Sequence, residues 1–297
     1  MRFGIHAFQL EALIPPGLSP EEVLAHITNF EHIDLIRPLF EKGFNPIELG
    51  GDLNLFLPQT YSPSAIEKLI NFKAETGIGY TLHLPLWSVE TSTPQTPVRK
   101  GSIQAIIDCI RVTKPLEPEV YVLHATGALA AEFYRMNLPD IAKILLLRQF
   151  QGSAAESMRT ILAETGIPSR KLAIETIEFP FELTLELAQD LDLSLCLDTG
   201  HVLVGFSGPI EFFDALEQCL PRLAEIHLHD GPWQGPQMKI GYGKDHQALG
   251  MGDLDVGRLL DRLRETNFEG PIIFELSLQQ ALESLQVIGE LRPDILP

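Results

Sequence analysis

The sequence predicts a closed parallel (β/α)8 barrel. Short β-rich runs alternate with helix-length amphipathic stretches, the pattern of parallel strands joined by helices. Eight such β-then-α units can be drawn, and that number favours closure over an open doubly wound sheet. The chain has 297 residues and is 45% apolar, enough for one barrel with enlarged loops. No Ser/Gly-rich linker or low-complexity tract divides it, so residues 1–297 are read as one domain.

The first strand is expected over Arg2–His6 and the second over Pro46–Leu49. A helix over Ser62–Thr76, with a Ser-Pro start, leads to the third strand at Tyr80–His83. Strands four to eight are expected at Val120–His124, Leu172–Glu175, Ser194–Asp198, Ala224–His227 and Pro271–Glu275. Before the last, Leu254–Thr266 carries Val256, Leu259, Leu260 and Leu263 as one helical stripe, and Asn267–Gly270 stops it. Three connections are long: the one beginning Leu84–Ser88, then Ala125–Pro139, then His229–Asp253. In a barrel such loops stand over one face and are usually functional. They carry Trp87, Phe133, Tyr134, Met136, Trp233, Met238 and Tyr242, an apolar wall suited to a bulky small-molecule substrate.

Composition excludes several classes. A net charge of −18 without a basic track disfavours extended nucleic acid. A small anionic substrate is compatible, because divalent cations reverse the local charge. No uninterrupted apolar run reaches the length of a membrane span. The start, Arg2-Phe3-Gly4-Ile5-His6, lacks the pattern of a signal peptide. Cys109, Cys196 and Cys219 lie in apolar contexts without a CxxC, so buried reduced thiols and a cytoplasmic location are expected. No GxGxxG, P-loop or GxSxG elbow is present.

The chemistry lies at the strand ends. The apolar runs finish in His83, His124, Glu175, Asp198, His227 and Glu275. Barrel closure would gather them at one rim, and histidine with carboxylate is the ligand set of zinc, manganese or iron. A lone carboxylate after an apolar run, as at Glu175 and Glu275, must be protonated or paired, and basic residues are scarce nearby. These two are also the candidate catalytic carboxylates. In Asp198-Thr199-Gly200-His201 the glycine permits a tight turn that returns His201 to the same cavity. His227 and His229 share a strand face, so either can be the ligand while the other supports it. Glu175, Asp198, His227 and Glu275 suffice for one ion, so His83 and His124 imply a second. His201 and His246 can serve a third. Substrate contacts are expected from Glu48, Trp87, Tyr134, His229, Trp233, Lys244 and Asp245. His6 could line the site, whereas His26 and His32 are expected to face solvent.

This constellation resembles the xylose-isomerase-like TIM-barrel superfamily, which includes the AP endonuclease family 2 enzymes. The likeness runs over almost the whole chain, through His83, His124, Glu175, Asp198-Thr-Gly-His201, His227, His246 before Leu249-Gly250, and Glu275. It implies a divalent-metal enzyme. Sugar isomerases and epimerases of the superfamily typically use one ion, held by the carboxylates of strands 5, 6 and 8 and the strand 7 histidine. The endonuclease branch uses three zinc ions and recruits the counterparts of His83, His124, His201 and His246. One departure stands out: the endonuclease pattern has an Asp two residues before the loop histidine, where this chain has Lys244, with Asp245 beside it. The stretches His83–Glu90, Leu123–Gly127 and Leu197–Leu203 look like the cobamide-remodelling phosphodiesterases. The resemblance thus implies hydrolysis of a phosphodiester in a small, phosphorylated, partly apolar substrate by two or three zinc ions, or by manganese or iron. The alternative is a single-metal sugar or sugar-phosphate isomerase or epimerase.

Overall fold

Eight parallel strands close in sequence order: β1 (Arg2–His6), β2 (Ile47–Gly50), β3 (Tyr80–His83), β4 (Tyr121–Leu123), β5 (Leu172–Glu175), β6 (Ser194–Asp198), β7 (Leu223–His227) and β8 (Pro271–Phe274). β8 returns to pair with β1, so the sheet has no edge. The computed structural model describes residues 1–9, 13–14, 17–235 and 240–296. The expected fold class is what forms, with four strands at the bounds read in the sequence and the ends of the other four shifted by at most one residue.

Side-chain alternation sets the layers. One parity of each strand faces the helices: Ile5, Ile47, Leu49, Leu82, Leu123, Ile174, Leu197, Ile226 and Phe274 belong to a single buried cluster. The opposite parity faces the barrel axis. Small residues fill its lower part, where Val122, Ala173 and Cys196 pack together. Two residues further along the same strands stand His124, Glu175 and Asp198. The donor atoms at the rim are therefore a continuation of the inward parity.

The helices obey their caps. In Pro63–Thr76, the Ser62 hydroxyl accepts from the Ala65 N–H, and Gly77 ends the helix at φ 75°. In Val256–Glu265, Asp255 caps the Arg258 N–H, and the four stripe residues are all buried. His32 departs from expectation. It is fully buried, its Nδ1 is 3.1 Å from the Thr60 carbonyl, and burial pushes its pKa down to about 4. Cys109, Cys196 and Cys219 are free thiols. Among the described residues, no helix is long and apolar enough to cross a membrane.

Two carboxylates shape the loops over the rim. Asp52 accepts from the backbone N–H groups of Leu86 and Trp87 and fixes the segment after β3. Asp230, fully buried, accepts from the N–H groups of Gly231, Gly250, Gly252 and Leu254 at 2.8–3.0 Å. That one side chain gathers both ends of the long segment after β7. Asp230→Ala would strand four donors, and it should lower stability by about 3 kcal/mol or more. Urea unfolding would measure the loss, and faster tryptic cleavage at Lys244 would localise it.

Candidate metal centre

Glu175 is fully buried at the end of β5 and sits at the centre of the rim. Its Oε2 is 3.1 Å from His83 Nε2 and 2.8 Å from His124 Nε2. Its Oε1 is 3.3 Å from His201 Nδ1 and 3.7 Å from His227 Nδ1. His227 Nδ1 is also 3.4 Å from Glu275 Oε1 and 4.0 Å from Asp198 Oδ2. Zinc bonds near 2.0–2.2 Å in a tetrahedron place neighbouring donor atoms about 3.3 Å apart, and these separations bracket that spacing. Among the described residues four groups of potential donors result: His83/His124/Glu175 and Glu175/Asp198/His227/Glu275, with Glu175 common to both, then His201/His229/His246, and Glu48/Glu225/His227.

Tautomers follow from the backbone. A carbonyl oxygen can only accept, so the 2.9 Å contact of His83 Nδ1 with Leu84 O places a proton on Nδ1. A neutral His83 then aims an Nε2 lone pair at the Glu175 carboxylate. Such a pair repels unless a second proton or a cation lies between. His201 Nδ1 likewise meets Thr176 O at 3.1 Å, which leaves Nε2 for the cavity. Glu175 Oε1 and His227 Nδ1 are buried without a hydrogen-bond partner. Orphaned, facing donor atoms of this kind fit divalent ions.

Beneath the rim lies a second polar layer. His227 Nε2 faces Glu48 at 3.4 Å and Glu225 Oε1 at 3.7 Å, and the Thr81 hydroxyl donates to Glu225 at 3.2 Å. All four side chains are fully buried. Burial and the charge of Glu48 hold the Glu225 carboxyl well above the usual range. Burial would raise Glu48 too, but the imidazoles of His227, His6 and His83 outweigh it and keep Glu48 low. Glu48 thus accepts the His227 Nε2 proton and leaves Nδ1 for the rim. The substrate contact expected of Glu48 does not arise, because its carboxylate faces His227 and not the cavity. Glu225 was not foreseen, although the alternation that pairs His227 with His229 also points to it.

His229 stands behind Asp198. Its Nε2 is 2.8 Å from Asp198 Oδ2, and its Nδ1 accepts the His246 N–H at 2.9 Å. Both ring nitrogens are engaged and the residue is fully buried, while its ring also stands with His201 and His246 as a group of potential donors. Gly200 makes this possible: a Cβ there would lie 2.1 Å from His229 Nδ1. Asp245 lies beside both loop histidines. Its Oδ2 is 2.8 Å from His246 Nδ1 and 3.7 Å from His201 Nε2. Burial would raise Asp245, yet the His246 hydrogen bond and the charges of His246 and His201 take it down to about 2. Lys244 is exposed and lines no part of the central cavity.

A family model described as xylose isomerase-like TIM barrel matches residues 36–291. The chain belongs to the xylose isomerase-like TIM-barrel family. At 23% identity it resembles the uncharacterized protein MJ1311 of Methanocaldococcus jannaschii, over 77% of this chain and 75% of that one. A D-tagatose 3-epimerase-like protein shares the fold with a TM-score of 0.69 at 17% identity, over 98% of this chain and 97% of that one. Endonuclease IV from Thermus thermophilus shares it with a TM-score of 0.65 at 17% identity, over 99% of this chain and 100% of that one. Both branches that the sequence resembles are therefore present among the solved folds of the family.

The family's rim encloses here a cavity of about 570 Å³, lined by His6, His83, His124, Glu175, His201, His246 and Glu275, with Phe8 and Gln9 at one wall. Phe8 and Gln9 were not anticipated, since a short turn after β1 gives no periodic signal. Of the expected aromatic contacts, Trp87 borders a neighbouring chamber. Tyr134 packs instead against the Leu147–Phe150–Phe179 cluster, and Trp233 is exposed and away from the cavity lining. Met238 lies outside the described residues.

Burial alone would lower His83 and His201, but their carboxylate neighbours outweigh it, Glu175 for the first and Asp198 with Glu175 for the second, and push both up to about 9. In metal-free protein these imidazoles hold protons more tightly folded than unfolded. The stability they add is complete below pH 6.5 and is lost as pH rises through about 9. Melting temperatures of chelator-treated protein should fall across that window, and zinc should abolish the fall. His229→Ala should weaken zinc binding by about 10–100-fold, read by competition with a chromogenic chelator.

Proposed function

We propose that the protein is a divalent-metal-dependent phosphodiesterase that uses more than one ion, zinc foremost, with manganese or iron able to replace it. The observation that carries this reading is the shared Glu175 carboxylate, whose two oxygens face separate donor sets. A one-ion isomerase needs only Glu175, Asp198, His227 and Glu275. It would leave His83 and His124 aimed at a carboxylate to no purpose. Paired ions supply Lewis-acid polarisation and water activation for in-line displacement at phosphorus. The chain's own residues do the rest. Glu175 joins the two sets, His229 and Glu48 hold Asp198 and His227 in register, and Glu275, partly open to the cavity, can exchange a proton with solvent or substrate. Asp245 with His201 and His246 offers a third donor group. Among the described residues no lysine or arginine lines the cavity, so cations at the donor sets would receive an anionic group there. The likeness of His83–Glu90, Leu123–Gly127 and Leu197–Leu203 to cobamide-remodelling phosphodiesterases makes cobamides the first substrates to test.

A second reading, a sugar or sugar-phosphate isomerase or epimerase, is favoured by the shared fold with an epimerase-like protein and by Glu175 and Glu275 flanking one four-donor set. Metal analysis separates the two. The phosphodiesterase reading expects two or three ions per chain. His124→Ala should remove one ion and cut phosphodiester hydrolysis by more than about 100-fold, since even the outer partners of ligands are worth about 10–100-fold. A single ion, with solvent deuterium entering a sugar carbon, would establish the second reading instead.

A further inference from the structure

The central cavity has a neighbour. A chamber of about 410 Å³ opens beside it, and Leu86, His124 and His201 line both. Its walls are Leu86, Trp87, Val89, Ala131, Ile177 and Phe206. Trp87 meets Phe8 edge to face at 6.0 Å, and Phe8 belongs to the central cavity, so this aromatic pair stands at the partition. On the other flank, Phe206 lies between His201 at 5.0 Å and Tyr242 at 5.7 Å. The carboxylates of the chamber are partly engaged, and Glu90 Oε2 is buried without a partner. Glu90 accepts the Leu129 N–H at 3.0 Å and thereby caps the helix Ala128–Arg135, and Glu178 binds Tyr242 and Arg135. Among the described residues no lysine or arginine lines the chamber, and its basic groups are His124 and His201.

We propose that the substrate of this centre is bipartite: a phosphoryl group at the ion cluster, and a bulky apolar portion seated in the chamber walled by Leu86, Trp87, Val89, Ala131, Ile177 and Phe206. The inference rests on the phosphodiesterase reading and extends it to the shape of the substrate. Size supports it, because pockets for drug-sized ligands begin near roughly 300 Å³, so the chamber alone can house such a group. A small sugar phosphate at the rim would leave it unfilled.

Calorimetric titration of the zinc-loaded protein with methylphosphonate and with (1-naphthyl)methylphosphonate tests the proposal. The naphthyl compound should bind at least about tenfold more tightly, through apolar surface removed from water. Ala128→Trp, at an exposed position on the chamber lip, and Ala131→Phe, within its wall, should each erase that advantage and leave methylphosphonate affinity unchanged. Equal affinities in the unaltered protein, or an advantage that survives both substitutions, would overturn the bipartite substrate and leave the metal-centre reading intact. Failure of either phosphonate to bind would overturn the phosphoryl reading, and the inference with it.

Discussion

A charge sealed inside a protein must be answered by another charge, and Glu175 is the point at which this molecule meets that demand. The carboxylate ends an apolar strand, has no access to water, and lies among the rings of His83, His124, His201 and His227. Without cations or protons the desolvation cost would be several kcal/mol per ion. Four strands must deliver imidazoles to one oxygen pair for it to be met. That requirement ties barrel closure, strand register and loop anchoring to the same place, and it makes the rim a site for positive charge in a chain that is strongly acidic overall.

Much of this was legible in the sequence because strands have a period of two. Once eight strands are drawn, inward parity follows, and His83, Glu175, Asp198 and His227 fall on it. The Asp198-Thr-Gly-His201 motif was legible from its glycine, read as a tight turn, whereas the structure gives that glycine a different use, the close approach of His229. Trp87 could be placed over the site because the loops of a barrel share one face.

Depth was not legible. Parity says that Glu48 points inward, but only register says how far down. In the sheet Glu48 sits level with Thr81, while the level of His83 belongs to Gly50 on β2. Glu48 therefore lies one layer below the rim, beside Glu225. The distinct work of His227 and His229 depended on contacts across strands, as did the burial of His32 against the Thr60 carbonyl. The displaced carboxylate was hidden for a local reason. His246 has a φ of 56°, and the turn around it presents Asp245 in the place where sequence spacing pointed to position 244.

The stacked acids Glu48 and Glu225 carry a biological corollary. They lie at the heart of the barrel, where an ordinary enzyme of this architecture would invest in branched aliphatic packing. A chain built this way gives up part of its intrinsic robustness. Under the proposed metal reading, divalent ions that bind the native form alone would offset part of that loss by shifting the folding equilibrium. Marginal native populations are culled by cellular proteases. Nutrient scarcity would then act on how many copies persist as well as on how fast each one turns over, so the cell's supply of divalent metals would set its dose of the protein.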